Sequence, residues 1–314
     1  MELDKIKSFL ELKNYDILSC KNVKNITFIG SGFFSFAYSF ESNNIPYVLR
    51  IGTSLKAFDK DDFAYINFSN NLNNIPKVLE KGKINDKFYC ITEKIAGKEI
   101  SSLDTDSLKK VLPSIMENHL KIIQINTDKF SNFGYINLLT YKGNSLSWHD
   151  FITKIDVWLK TILIPTNVKY QDWDKLFDKK DFDKPFFDKC YQELIKLAKF
   201  LPEKKFIVHG DFGNSNMLCE NNKVTGIIDW AEFMVGDFLY DLAYMDYYND
   251  KISYKDEFKA FYIKNNINIS FYDERIRCYQ IYMTLLSMFI YFNRNMEKEF
   301  IEELDMMKNK ILIL

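Results

Sequence analysis

The sequence predicts an α+β chain in two lobes, a small antiparallel sheet over residues 1–96 and a mainly helical lobe over 97–314. Three observations carry that expectation. At 314 residues the chain exceeds what a single hydrophobic core usually supports. Short β-branched and aromatic runs, broken by Asn-rich turns, crowd into its N-terminal third. After Gly97 the apolar positions recur with helical spacing instead.

The opening stretch "MELDKIKSFLELKNYDIL" carries charges among its apolar positions and lacks a signal peptide's continuous apolar run, so it reads as an amphipathic helix. "NITFIG", "FAYSFES" and "IPYVLRI" read as strands, the last two joined across "SNN" and the third entered through Pro46. "KDDFAYINFSNNL" has helical spacing and is closed by Pro76. "KVLEKGKI" and "KFYCITEKI" form another strand pair around the turn "NDK", and residues 94–97 make the hinge to the second lobe. Helices are predicted over 105–126, 148–163, 186–200, 239–248, 255–264, 274–292 and 297–309. The exception is 206–229, where two short strands flank "HGDFGNSN" and a third, "TGIID", returns across "ENNK".

Composition narrows the function classes. The chain is 47% hydrophobic and 27% charged with a net charge of −1, the profile of a folded protein. Its 42 Lys and Arg are matched by 43 acids, so no basic field exists for nucleic acid. No apolar run is long enough to span a membrane. Cys20, Cys90, Cys190, Cys219 and Cys278 have neither CxxC nor Cys–His spacing. They read as buried thiols in a reducing compartment, which makes the cytoplasm the expected location; a monomer is the expected state.

The chemistry concentrates in "HGDFGNSN", residues 209–216. Its Gly, Asp, Asn and Ser are also ordinary turn formers, so the loop gains meaning only together with the strand at 225–229. "GIIDWAE" ends that apolar strand at Asp229, where a carboxylate would emerge beside the loop holding Asp211 and Asn216. Phosphoryl transfer needs such a set: one carboxylate to orient the attacking hydroxyl and accept its proton, and a second with an amide oxygen to hold Mg2+ against the nucleotide phosphates.

His209, Gly210, Asp211, Asn216, Ile228 and Asp229 resemble the catalytic segments of the aminoglycoside phosphotransferases, within the protein-kinase-like fold. "YSFESNNIPYVLRI", "YCITEKIAGKEI", "SWHDFI" and "IIDWAEFMVGD" extend the likeness from about residue 30 to about residue 245. The resemblance implies a nucleotide-binding first lobe, with Gly30, Ser31 and Gly32 in the place of a phosphate-approaching loop and Arg50 in the place of the phosphate-binding lysine. It puts Asp62 nearest as the helix acid pairing with Arg50, with Asp61 adjacent, and adenine near the backbone of Glu93 and Ile95. Trp148 and Asp150 resemble a segment beside the acceptor, although a Trp opening a helix is as readily a core residue. Asp237 and Asp241 match a family segment and read as structural, His209 as a brace for the loop, and His119 and His149 as ordinary.

The implied function is ATP- and Mg2+-dependent phosphorylation of an aminoglycoside hydroxyl, with GTP as an open alternative donor. Asp211 would take the proton, Asn216 and Asp229 would hold the metal, and Asp150, Asp156, Glu232 and Asp246 would draw in a polycationic substrate unless they are merely solvated helix acids. Two rivals stand beside it: a kinase of the same fold acting on choline, homoserine or a ribose derivative, and an inactive nucleotide-binding module.

Overall fold

Paired asparagines make the turns of the first sheet. A computed structural model of the chain describes residues 3–12, 23–32, 35–155 and 184–310, so Cys20, Phe33, Phe34 and Asp156 lie outside the described residues. After the helix Leu3–Leu12 (α1), the strands Lys24–Ser31 (β1), Ser35–Ser42 (β2), Ile45–Gly52 (β3), Val78–Ile84 (β4) and Lys87–Glu93 (β5) form an antiparallel sheet ordered β1-β2-β3-β5-β4. Asn43 and Asn44, between β2 and β3, take φ of 52° and 64°, the left-handed pair that a two-residue hairpin turn demands. Asn221 and Asn222 repeat the device at 50° and 61°. Ile6 and Leu10 of α1 are buried against Phe40, Leu49, Ile51 and Ile91 of the sheet. The helix Leu55–Phe68 (α2) buries Phe58, Phe63 and Phe68.

The chain divides into two compact units, Met1–Asn118 with Ser215–Glu232, and His119–Asn214 with Phe233–Leu314. The first unit thus takes in residues on both sides of the 96/97 cut read from the sequence. Pairing explains why: Lys98–Glu99 (β6) joins Met217–Glu220 (β10), which pairs with Lys223–Ile227 (β11). In the helix Thr105–Ile123 (α3), Ser114 Oγ accepts the Val224 N–H at 3.0 Å, and Asn118 Oδ1 accepts from Asn74 Nδ2 at 2.9 Å. Gly97 sits at φ 121°, and a Cβ there would meet the Cys219 carbonyl oxygen at 2.8 Å, so this contact admits only glycine.

The second unit holds a four-stranded antiparallel sheet in which Lys142–Ser145 (β8), Phe133–Asn137 (β7), Met234–Gly236 (β12) and Phe206–Val208 (β9) lie in that order. Its helices are Trp148–Thr153 (α4), Lys184–Ala198 (α5), Leu239–Tyr247 (α6), Tyr254–Lys264 (α7), Tyr272–Asn293 (α8) and Glu297–Lys310 (α9). Two expectations are corrected. β6, β7, β8 and β12, in the region read as mainly helical, are strands that hydrophobic patterning does not mark, and β9 pairs with β12. The helix predicted over 148–163 is helical at Trp148–Thr153, and its part beyond residue 155 lies outside the described residues. Cys90, Cys190, Cys219 and Cys278 are buried free thiols. Among the described residues no helix is long and apolar enough to cross a membrane.

Candidate active site

In the first unit the site is built around Arg50. Alternation along β3 buries Leu49 and Ile51 in the core and turns Arg50 to the other face of the strand. There Nη1 donates to Asp61 Oδ2 at 2.6 Å and Nη2 to Asp229 Oδ1 at 3.2 Å, with the guanidinium carbon 5.2 Å from the Phe58 ring centroid. Asp61 is therefore the helix acid, which corrects the expectation for Asp62. Successive helical residues point about 100° apart, and the face that carries Phe58 also carries Asp61, whereas Asp62 reaches Lys81 of β4 at 2.7 Å. Asp61 makes a second contact: its Oδ1 accepts the Trp230 N–H at 2.7 Å. Lys60 Nζ donates to the Ala231 carbonyl at 2.7 Å, so two neighbouring side chains of α2 grip the segment after Asp229.

Electrostatics agree with the geometry. Burial opposes the charge on Arg50, but the Asp229 and Asp61 carboxylates outweigh it and hold the guanidinium proton more tightly than usual. Burial, with the Asp229 charge, pushes the Asp61 carboxyl up, against the pull of Arg50 and the Trp230 N–H. Lys60 is lowered by burial, with Glu232 countering.

Asp229 has a left-handed backbone, φ 62°, uncommon for a residue with a Cβ and a mark of a position fixed by its surroundings. Asn216 lies immediately before β10, and its carbonyl accepts the Ile228 N–H at 2.9 Å, which sets it one residue from alignment with Asp229. The donor set fits magnesium. A carboxylate and an amide supply hard oxygens, and Asp229 keeps 39% of its side chain exposed. Among the described residues no group of three or more His, Cys, Asp or Glu could cage an ion, and Mg2+ needs none when phosphates and water complete its shell. Gly30, Ser31 and Gly32 end the β1–β2 hairpin, and a Cβ at either glycine would meet nothing within 4 Å, leaving room for backbone to approach a phosphate. Glu93 ends β5 and Ile95 packs beside Gly226.

In the second unit the His-Gly-Asp loop is held from below. Asp241, fully buried on α6, accepts the His209 N–H at 2.8 Å and the Gly210 N–H at 2.9 Å, while Gly210 takes φ 84°. His209 Nδ1 accepts the Asp211 N–H at 3.3 Å, a bracing contact, and Asp211's carbonyl accepts from Gly213 at 2.8 Å. Burial pushes the Asp241 carboxyl up to about 7, the two loop N–H groups opposing. His119 is buried beside Phe212 and Phe258, with Nδ1 2.6 Å from the Tyr262 hydroxyl; burial lowers it to about 3 and keeps it neutral.

Trp148 is a core residue, which corrects its placement beside the acceptor. It is fully buried, stacks on Phe151 and donates Nε1–H to the Tyr279 hydroxyl at 2.9 Å. Tyr279 in turn donates to Asp237, which Arg275 clamps through Nε at 2.8 Å and Nη2 at 2.5 Å. Asp237 is therefore structural. Of the acids read as substrate attractors, Asp150 contacts Lys154 at 2.9 Å, and Asp246 accepts from the Lys255 N–H and from Gln280, while Glu232 lies near Lys60 in the other unit. Lys60, which holds the segment after Asp229, is a residue that sequence reasoning misses. It is legible once helix phase is known, because it adjoins Asp61.

The model of the phosphotransferase enzyme family (APH) matches residues 25–266, most of the chain, including Arg50, Asp211 and Asp229. The chain belongs to this phosphotransferase family. A hygromycin-B 4-O-kinase from Escherichia coli is 29% identical over 223 residues, 71% of this chain; the match spans 62% of that relative's length. A thermostable mutant of aminoglycoside phosphotransferase APH(4)-Ia, solved as a ternary complex with AMP-PNP and hygromycin B, superposes with a TM-score of 0.77 at 25% identity, covering 91% of this chain and 92% of the other. A further crystal structure of APH(4)-Ia gives a TM-score of 0.80 at 23% identity and covers 97% of both chains, a likeness of fold. The chain thus has the kinase-like α+β fold expected from its sequence, an antiparallel sheet followed by a mainly helical region.

Proposed function

We propose that this phosphotransferase moves the γ-phosphoryl group of ATP to a hydroxyl of an aminoglycoside of the hygromycin B type, which would inactivate the drug. The observation that carries the reaction class is Arg50 clamped between Asp61 and Asp229, a fixed cation beside a carboxylate suited to magnesium. Similarity to a hygromycin-B 4-O-kinase supports the acceptor, and the AMP-PNP in a relative's complex supports an adenine nucleotide as donor.

The roles follow from the chemistry. Asp211 orients the acceptor hydroxyl and takes its proton, on a loop whose backbone Asp241 holds in place. Arg50 binds phosphate oxygens through its planar fork, and Gly30, Ser31 and Gly32 offer backbone N–H groups. Asn216 and Asp229 would hold Mg2+, which, when bound, neutralises charge on the transferring phosphate. Glu93 and Ile95 offer backbone groups to adenine. ATP as donor makes the cytoplasm the natural site of the reaction.

The test incubates purified protein with ATP and Mg2+ against hygromycin B, other aminoglycosides, choline and homoserine, and reads product by mass spectrometry. Phosphorylated hygromycin B is the expected product. Turnover with choline or homoserine and with no aminoglycoside would install the metabolite-kinase reading, and nucleotide binding without turnover would install the inactive module.

A further inference from the structure

Asp229 is held from both sides along the chain. Upstream, the Ile228 N–H donates to the Asn216 carbonyl at 2.9 Å. Downstream, Trp230–Glu232 makes one turn of 3-10 helix whose backbone is gripped by α2: Asp61 Oδ1 accepts the Trp230 N–H at 2.7 Å, and Lys60 Nζ donates to the Ala231 carbonyl at 2.7 Å. The buried Trp230 ring packs against Phe68 of the same helix, with centroids 5.6 Å apart. Between these anchors Asp229 takes φ 62°, a conformation that is unfavourable for a residue with a Cβ and persists only where its surroundings impose it. Rotation of the backbone here would swing the carboxylate away from Arg50 Nη2, from which it accepts at 3.2 Å. Resting on the assignment of Asp229 as a magnesium ligand, we infer that Lys60 is a positioning residue, whose hold on the Ala231 carbonyl keeps Asp229 in the left-handed conformation that presents its carboxylate to the metal.

Lys60 and Asp61 act differently. Asp61 serves Arg50 as well as the Trp230 N–H, so its loss would disturb the phosphate side and the metal side together. The Lys60 ammonium instead bonds a backbone carbonyl two residues beyond Asp229, and that link is separable from the Arg50 pair. A charged donor bonds a carbonyl more strongly than a neutral one does, which suits it to holding a strained turn. Groups that orient a metal ligand without touching the metal commonly set metal affinity by about 10- to 100-fold. Lys60 acts in this way, on the metal's contribution and not on the nucleotide's own.

The test is calorimetric titration of the full-length protein with AMP-PNP, once in EDTA and once in saturating Mg2+, for wild type, Lys60→Met, Lys60→Arg and Asp229→Asn. The ratio of the two dissociation constants measures what the metal adds to nucleotide binding, independently of turnover. Lys60→Met keeps an apolar stem and removes the donor. It should cut the ratio about 10-fold, with Kd in EDTA nearly unchanged. Lys60→Arg retains a cationic donor and should keep most of the ratio. An unchanged ratio in Lys60→Met would overturn the inference, as would an equal loss of affinity with and without Mg2+, the mark of a general loosening. An arginine variant as impaired as the methionine one would also overturn it. A full ratio in Asp229→Asn would instead overturn the assignment of Asp229 to the metal.

Discussion

Adjacent aspartates on α2 have opposite fates, and the difference is measurable. Asp61 is buried and shared between Arg50 and the Trp230 N–H, whereas Asp62 faces Lys81, which also contacts Asp59 at 2.8 Å. Removing one member of a buried ion pair strands the other and costs about 3–5 kcal/mol, whereas a part-exposed pair is worth about 1 kcal/mol or less. Asp61→Asn should therefore melt well below wild type and lose ATP affinity. Asp62→Asn should melt within a few degrees of wild type with normal turnover. Equal effects in paired melting and ATP-titration experiments would contradict the assignment. Resemblance identified the acid to within one residue, and only the phase of the helix against β3 and β4 decides between neighbours.

At the scale of elements, α6 and α8 anchor the second unit through buried charges. Arg275 clamps Asp237, which is wholly buried, so Arg275→Met should cost about 3–5 kcal/mol in chemical denaturation. A loss under about 1 kcal/mol would show the pair to be dispensable. Trp148→Phe breaks the hydrogen bond to Tyr279 and should lower the melting temperature while leaving acceptor KM unchanged; a raised KM at normal stability would return Trp148 to the acceptor site. Asp241 gives a pH signature. Its folded pKa near 7 lies above the ordinary carboxyl value, so the folded chain binds the extra proton between about pH 4 and 7. Stability from this group is full below about pH 4 and is lost as pH rises toward 7. The stability of wild type relative to Asp241→Asn should therefore shrink across that window, and a constant difference in melts taken from about pH 4 to 8 would refute the assignment. These helices were legible from periodicity. The strands β6, β7, β8 and β12 were not, because segments such as "KE" and "KGNS" are too short and too polar to display a period of two. Gly236 illustrates the same limit: a Cβ there would lie 2.4 Å from the Trp148 ring, a requirement set by a residue 88 positions away (236 − 148).

For the whole molecule, the proposed reaction class is read from residues that cluster in two short segments, 209–216 and 226–232, with local chemistry as the signal. The acceptor was not readable in the same way, since it depends on side chains scattered along the chain. Asp150 and Asp246 already have partners within the second unit, which weakens the case for a broad acidic field steering the substrate. Asp211-dependent phosphoryl transfer to an aminoglycoside is nevertheless the central claim. The most direct measurement is phosphorus NMR of hygromycin B incubated with ATP, Mg2+ and either the wild-type protein or Asp211→Asn. Wild type should convert ATP to ADP with one phosphate ester formed on the drug per turnover, and Asp211→Asn should be slower by roughly 10²- to 10⁴-fold. ATP consumed with no ester on the drug, or an ester formed at the same rate by both proteins, would contradict it.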